Sequence, residues 1–157
     1  MLNLKKCHSI LILSNSSDDS GAKETARIVS FLKQGGKEVF ALHCNENEKE
    51  TIVPQITDIK VFGKDHLNKI FTPIDTLLLK LVDREFDLLI DLSIKEIFPL
   101  KYIFVLSKSK FKVGPSLNYK NTFGDMTIDI TQNQTVTYFI TQVKHYLTQI
   151  NQEEYVV

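Results

Sequence analysis

Residues 85–114, EFDLLIDLSIKEIFPLKYIFVLSKSKFKVG, limit the fold more than any other stretch of the chain. A short, largely apolar run, Phe86 to Leu92, carries Asp91 near its end. A helical stretch follows over 96–107, and a second compact apolar segment, Phe111 to Val113, closes at Gly114. Two runs of strand length joined through one helix predict a strand–crossover–strand unit, and such a crossover implies parallel strands. Ser93 to Pro99 is then the polar-rich turn beyond the end of the first strand.

The amino-terminal part repeats the pattern. Ser9 to Leu13 reads as a buried strand ending in the polar loop Asn15 to Gly21, where Asp18 or Ser20 can cap a helix. Ala22, Ala26, Val29 and Leu32 recur at helical spacing over 20–34, and Gly35-Gly36 supplies the left-handed stop. Glu38 to His43 is a second strand and Ile59 to Phe62 a third. Residues 45–58 lack periodicity, and the stretch 64–75 reads as a turn or insertion before a helix that starts near Pro73 and ends near Arg84. Ile128 to Ile130 is a short last strand, placing Asp129 in partial burial. Gln134 to Ile150 is a terminal helix with Val136, Phe139, Ile140, Val143 and Leu147 on one face.

Strands alternating with helices predict an α/β fold. The expected form is a doubly wound, mostly parallel sheet of five or six strands with helices on both faces, a Rossmann-like or flavodoxin-like three-layer sandwich. Its buried strands explain the near-continuous apolar runs. At 157 residues the chain suits one domain, expected over 1–150, with 151–157 as a frayed tail. Nineteen basic and nineteen acidic residues cancel, so overall charge favours neither nucleic acid nor an anionic membrane. No apolar run reaches spanning length, and the four-residue run Ile10 to Leu13 is too short for a secretory signal. Two isolated cysteines, Cys7 and Cys44, suit free buried thiols in a reducing compartment. The expected location is therefore the cytoplasm.

No motif specifies a reaction. The first loop has one glycine and two acids, Asp18 and Asp19, so it matches neither a dinucleotide fingerprint nor a P-loop. There is no Gly-x-Ser-x-Gly elbow. Cys7-His8 and His43-Cys44 are neighbours along strands, whose side chains point to opposite faces, so neither pair makes a nucleophile and base in contact, and no metal site is expected from them. Asp91, at a strand end, is the one acid placed for catalysis or metal binding; its structural use is a hydrogen bond to Ser93. Between Ile97 and Gly124 lie Lys101, Lys108, Lys110, Lys112 and Lys120 with no acid among them, a candidate basic surface for an anionic partner.

From Phe86 to Gly114, in Ile10 to Asn15, at Gly35-Gly36 and from Met126 to Ile150, the chain resembles a small family of uncharacterised single-domain α/β proteins of Bacteroidota. That resemblance implies a domain of unknown function and brings no activity with it. Asp91-Leu92 and Val113-Gly114 are also similar to the amino-terminal half of the bacterial lipopolysaccharide heptosyltransferases. Those enzymes react in a cleft between two such domains and hold the nucleotide-sugar largely with the second. This chain has the length of one, and its first loop lacks their Gly-Asp turn. Both departures count against glycosyl transfer unless a partner chain supplies the other half.

Two functions remain open. One is a non-catalytic or partner-dependent binding domain using the strand-end crevice, where Ser14, Asn15, Asp91, Ser93, Lys95 and Glu96 converge. The other is a small enzyme on a phosphorylated or sugar-like substrate, with Asp91 as base or metal ligand and Lys95 neutralising phosphate. The first is favoured, because no close set of independent acid, base and oxyanion groups is visible. No cofactor is expected, and the partner is either a protein or a small anionic ligand.

Overall fold

A computed structural model describes residues 4, 6–16, 19–45, 59–62 and 76–149. In chain order the elements are β1 (Ser9–Ser16), α1 (Asp19–Gln34), β2 (Glu38–Asn45), β3 (Ile59–Phe62), α2 (Thr76–Asp83), β4 (Leu88–Asp91), α3 (Phe98–Leu106), β5 (Lys112–Pro115), α4 (Asn118–Phe123), β6 (Met126–Ile128) and α5 (Val136–Gln149). Among the described residues the sheet has six strands in the order β3-β2-β1-β4-β5-β6, and every neighbouring pair runs parallel. This is the doubly wound arrangement: strands are added outward from β1 on one side, and the direction reverses between β1 and β4.

Alternation along the strands divides the core between the two faces. Ile10 and Ile12, with Val39, Ala41, Leu88 and Ile90, meet α1 through Ile28, Val29 and Leu32, and α5 through Phe139, Ile140, Val143 and Leu147. Leu11, Leu13, Leu42 and Leu89 face the other way, onto Leu78 and Leu81 of α2, Leu100, Ile103 and Phe104 of α3, and Tyr119 of α4. Both faces are covered, which is why Ile10 to Leu13 of β1 and Leu88 to Ile90 of β4 read as unbroken apolar runs. Among the described residues, no helix is long and apolar enough to cross a membrane.

Local chemistry sets the element ends. Gly36 holds a left-handed φ of 76°. Its N–H donates to Lys33 O, and the Lys37 N–H donates to Leu32 O, closing α1 in the way a glycine pair allows. Asp87 clips the amino ends of three strands. It accepts from the His8 and Ser9 N–H groups at 2.8 and 3.1 Å and from Lys110 Nζ at 2.9 Å. The His8 N–H first, and then Lys110, hold its carboxyl well below the usual carboxylate range.

Three details differ from the sequence reading. β4 and β5 are shorter or shifted relative to Phe86–Leu92 and Phe111–Val113, since Phe86 and Phe111 precede the paired register. Asp129 is exposed and lies after β6; its carboxylate accepts the Thr131 N–H at 2.8 Å in a local turn. The short helix α4 has no counterpart among the elements expected from sequence. The readings for 46–58, for 63–75 with Pro73, for the loop residues 17 and 18, and for the tail after 150 lie outside the described residues.

Candidate functional site

A doubly wound sheet offers a ligand crevice beyond the carboxyl ends of its strands, where the strand order reverses. Here that place lies between the ends of β1 and β4, beside Asn15 and the turn after Asp91. Leu13 pairs with Asp91 across the two strands, and the Leu92 N–H still donates to Leu13 O at 2.8 Å.

Asp91 is fully buried there, at 0% exposure, as are Ser93 and Lys120. One carboxylate oxygen, Oδ1, accepts the Ser93 N–H at 2.9 Å and the Ser93 hydroxyl at 2.6 Å. The other, Oδ2, lies 3.2 Å from Lys120 Nζ and accepts from the Tyr119 hydroxyl at 3.4 Å. Lys120 Nζ also donates to Ser93 O at 2.6 Å and contacts Ser93 Oγ at 3.2 Å. An ammonium has three donors, and all three are used. Burial pulls the Lys120 ammonium below its ordinary pKa, and Asp91 pulls it back up. Burial, reinforced by the Asp91 charge, pushes the Tyr119 phenol far above its ordinary value, so it stays a neutral donor.

The sequence builds this cluster from three places. Asp91 ends β4, Ser93 opens the following turn, and α4 delivers Tyr119 and Lys120. Gly114 on β5 makes room for the lysine stem: a Cβ there would stand 2.7 Å from Lys120 Cδ. Phe104 of α3 meets the Tyr119 ring edge-on, with centroids 5.8 Å apart. Gly124 ends α4 tightly against both, since a Cβ there would meet Lys120 O at 2.6 Å and Phe104 Cζ at 3.3 Å.

The six candidate crevice residues do not converge. Leu13 and Leu42 face the α2–α4 layer, so Ser14 and His43, the next residues along, face the α1 and α5 layer. Ser14 Oγ lies 2.8 Å from His43 Nδ1, both buried. Asp91 and Ser93 instead join Tyr119 and Lys120 on the opposite side of the sheet. Asn15 is half-buried at the end of β1. Lys95 and Glu96 are exposed, and Glu96 pairs with Lys101 at 2.7 Å. Burial pulls the His43 pKa below its ordinary value.

That shift gives a pH dependence with a definite sign. A histidine whose folded pKa is depressed binds its proton more readily in the unfolded chain, so stability is full above about pH 6.5, the unfolded value, and is lost as pH falls below it. His43→Gln is expected to flatten this limb of a plot of unfolding free energy against pH, measured by urea titration between about pH 5 and pH 8.

The five lysines do not form one basic surface. Lys112 and Lys120 are buried. Lys112 Nζ donates to Phe104 O at 2.8 Å and Val105 O at 3.2 Å, placing a cation on the last carbonyls of α3. Lys101 pairs with Glu96, Lys108 with Asp83 at 3.0 Å, and Lys110 with Asp87. Asp83 and Asp87, distant in sequence and so omitted from a local charge count, take up Lys108 and Lys110. Cys7 and Cys44 are buried on opposite faces of the sheet, and burial raises the Cys7 thiol to about 11.

A separate cavity of about 530 Å³ lies between β6 and α5. Thr127, Asp129, Thr131, Tyr138, Gln142 and Tyr146 are among its lining residues, and among the described residues no lysine or arginine lines it.

A model for a family of unknown function, DUF6913, matches residues 2–150. The chain belongs to that family. The match covers every described element of the DUF6913 domain, from β1 to α5. No curated protein and no solved structure matches it.

The residues that reasoning from the sequence missed are Tyr119 and Lys120 as partners of Asp91. The one available signal was their placement next to Gly114-Pro115, where a turn could return a short helix over the strand ends.

Proposed function

We propose that the DUF6913 domain acts by binding, at the crevice beyond the carboxyl ends of β1 and β4, and that Asp91 shapes this crevice without taking part in chemistry. The observation that carries the reading is the complete engagement of Asp91: both oxygens are used by Ser93, Tyr119 and Lys120. A general base must reach a substrate proton, and a metal ligand must turn a lone pair to the ion. Either role would require Asp91 to give up Lys120 and leave a buried ammonium without its counter-charge. Of the four residues similar to heptosyltransferases, Asp91-Leu92 and Val113-Gly114, the two polar or turn-forming ones, Asp91 and Gly114, both meet Lys120, one by charge and one by packing. Their pattern therefore has a structural use that needs no sugar nucleotide. Free buried thiols at Cys7 and Cys44 suit a reducing cytoplasm.

The test is thermal-shift screening of the full chain against nucleotides, sugar phosphates and divalent cations, followed by activity assays on any ligand found. A ligand at about a hundred times its Kd stabilises the folded state by about 2.7 kcal/mol, enough to read as a clear upward shift. The expected result is a shift that Asn15→Arg removes and Tyr138→Ala leaves alone, with no turnover. A flat response across the panel would transfer the binding role to a protein partner. Turnover of a phosphorylated or nucleotide-sugar substrate, lost in a folded Asp91→Asn variant, would overturn the reading in favour of an enzyme.

A further inference from the structure

β6 ends the sheet among the described residues, and the cavity of about 530 Å³ lies between this edge strand and α5. That volume falls in the range of small-molecule sites, roughly 300–1,000 Å³. α5 packs on the face of the sheet opposite to Tyr119, so the cavity and the Asp91 cluster lie on different sides.

The floor of the cavity is apolar. Met126 and Tyr138 pack against the cluster that holds Ile128, and all three line the space. The polar groups around that floor are uncommitted. Tyr138, Gln142 and Tyr146 follow one another at four-residue spacing along α5, and each of them lines the cavity. Among the described residues, no hydrogen bond uses the side chains of Gln132, Tyr138, Gln142 or Tyr146. The strand backbone adds a donor and an acceptor. Ile128 turns its carbonyl toward β5, where it accepts the Ser116 N–H at 2.9 Å. Alternation along the strand then turns the Thr127 N–H and C=O to the open edge.

Charge then selects the ligand. The one ionisable acid on the lining is Asp129, whose carboxylate accepts the Thr131 N–H at 2.8 Å and is held ionised by it. At the start of α5, the Tyr138 N–H is already taken by Thr135 Oγ1 at 3.2 Å. A phosphate or carboxylate would therefore find no cation and meet a like charge. For a cation, a single exposed carboxylate in water is a weak attraction. What the cavity offers in quantity is neutral: two side-chain amides, two phenols and the strand-edge backbone pair of Thr127. Such a set matches hydroxyl groups, each of which donates and accepts. The apolar floor and the tyrosine rings match the C–H surface of a ring that carries those hydroxyls.

We propose that the β6–α5 cavity binds an uncharged, polyhydroxylated ligand of the sugar class. The proposal is independent of the crevice reading, because it uses other residues on the other side of the sheet.

Isothermal titration calorimetry of the full chain with glucose, galactose, mannose, N-acetylglucosamine and maltose tests it. The expected result is saturable binding of at least one of these sugars, with a Kd of about 1 mM or tighter. Gln142→Ala removes one amide from the lining and is expected to weaken that binding about tenfold, the worth of one net hydrogen bond. Gln142 is half-buried on the surface of α5, so the variant is expected to keep the native circular dichroism; if it does not, Tyr146→Ala, at a more exposed position, gives the same reading. Asn15→Arg, in the crevice, is expected to leave the Kd unchanged. Glucosamine and glucose 6-phosphate, which add charge of either sign to the ring, are expected to bind more weakly than the best neutral sugar. No saturable heat from any of the five sugars would overturn the proposal, as would a Kd that neither Gln142→Ala nor Tyr146→Ala changes. Tighter binding of glucosamine or of glucose 6-phosphate would overturn it in favour of a charged ligand. Sugar binding lost in Asn15→Arg and kept in Gln142→Ala would overturn it by moving the sugar to the crevice.

Discussion

Replacing Lys120 by Ala is expected to cost about 3–5 kcal/mol of folding free energy, a large part of the 5–15 kcal/mol typical of a domain. The reason is the penalty left behind more than the attraction removed. Asp91 is fully buried, and without Lys120 one of its oxygens keeps only the long Tyr119 contact. The stem matters as well, because it fills the space above Gly114. Lys120→Met, which keeps most of that stem, isolates the charge component. The double variant Asp91→Asn/Lys120→Met is expected to recover much of the loss, since a buried ion pair replaced as a unit is often close to neutral. Unfolding free energies from urea titration of the two single variants and the double variant close the cycle. A loss below about 1 kcal/mol for Lys120→Ala is what an exposed pair would give, and would refute the buried placement.

Phe104→Ala is expected to cost a comparable amount, about 3–5 kcal/mol, by opening a cavity under α3 and α4. Phe104 is completely buried, meets Tyr119 edge-on and closes against the backbone at Gly124. Its removal takes away the surface that seats α4 as well as the buried area of the ring. The losses from Phe104→Ala and Lys120→Ala are therefore expected not to add. Both act through the seating of α4, and contacts sharing one element couple by about 0.5–3 kcal/mol. Urea titration of the double variant reads this directly, and simple additivity would show that α4 is not a shared support.

The two expectations concern a helix that sequence reasoning did not find. α4 spans only Asn118–Phe123, too short for a periodic signal, and its two decisive residues point into the core for unrelated reasons. Tyr119 reads as an aromatic among lysines, and Lys120 as one more cation in a basic run. In space, Lys112 caps α3 and Lys120 neutralises Asp91, while Lys108 and Lys110 meet Asp83 and Asp87. Charge along a segment counts only local neighbours, and a parallel sheet brings together residues that are tens of positions apart. The crevice residues fail for a different reason. Ser14 and Asp91 both lie near the carboxyl ends of central strands, but alternation gives them opposite faces once the register Leu13 to Asp91 is known.

Sequence alone was enough for the alternating elements, the parallel α/β class, the glycine stop after α1, the burial of Val29 and Leu32 on α1 and the buried face of α5, because each is a periodic or local conformational property of the chain. It also singled out the segment 85–114, which became β4, α3 and β5. Only the tertiary structure decided the strand order, and with it which strand ends are neighbours. It alone decided that Asp91 is enclosed by Ser93, Tyr119 and Lys120, because burial and pairing depend on residues that meet across the sheet. Asp91 keeps its central position in the fold as the anchor of a buried network.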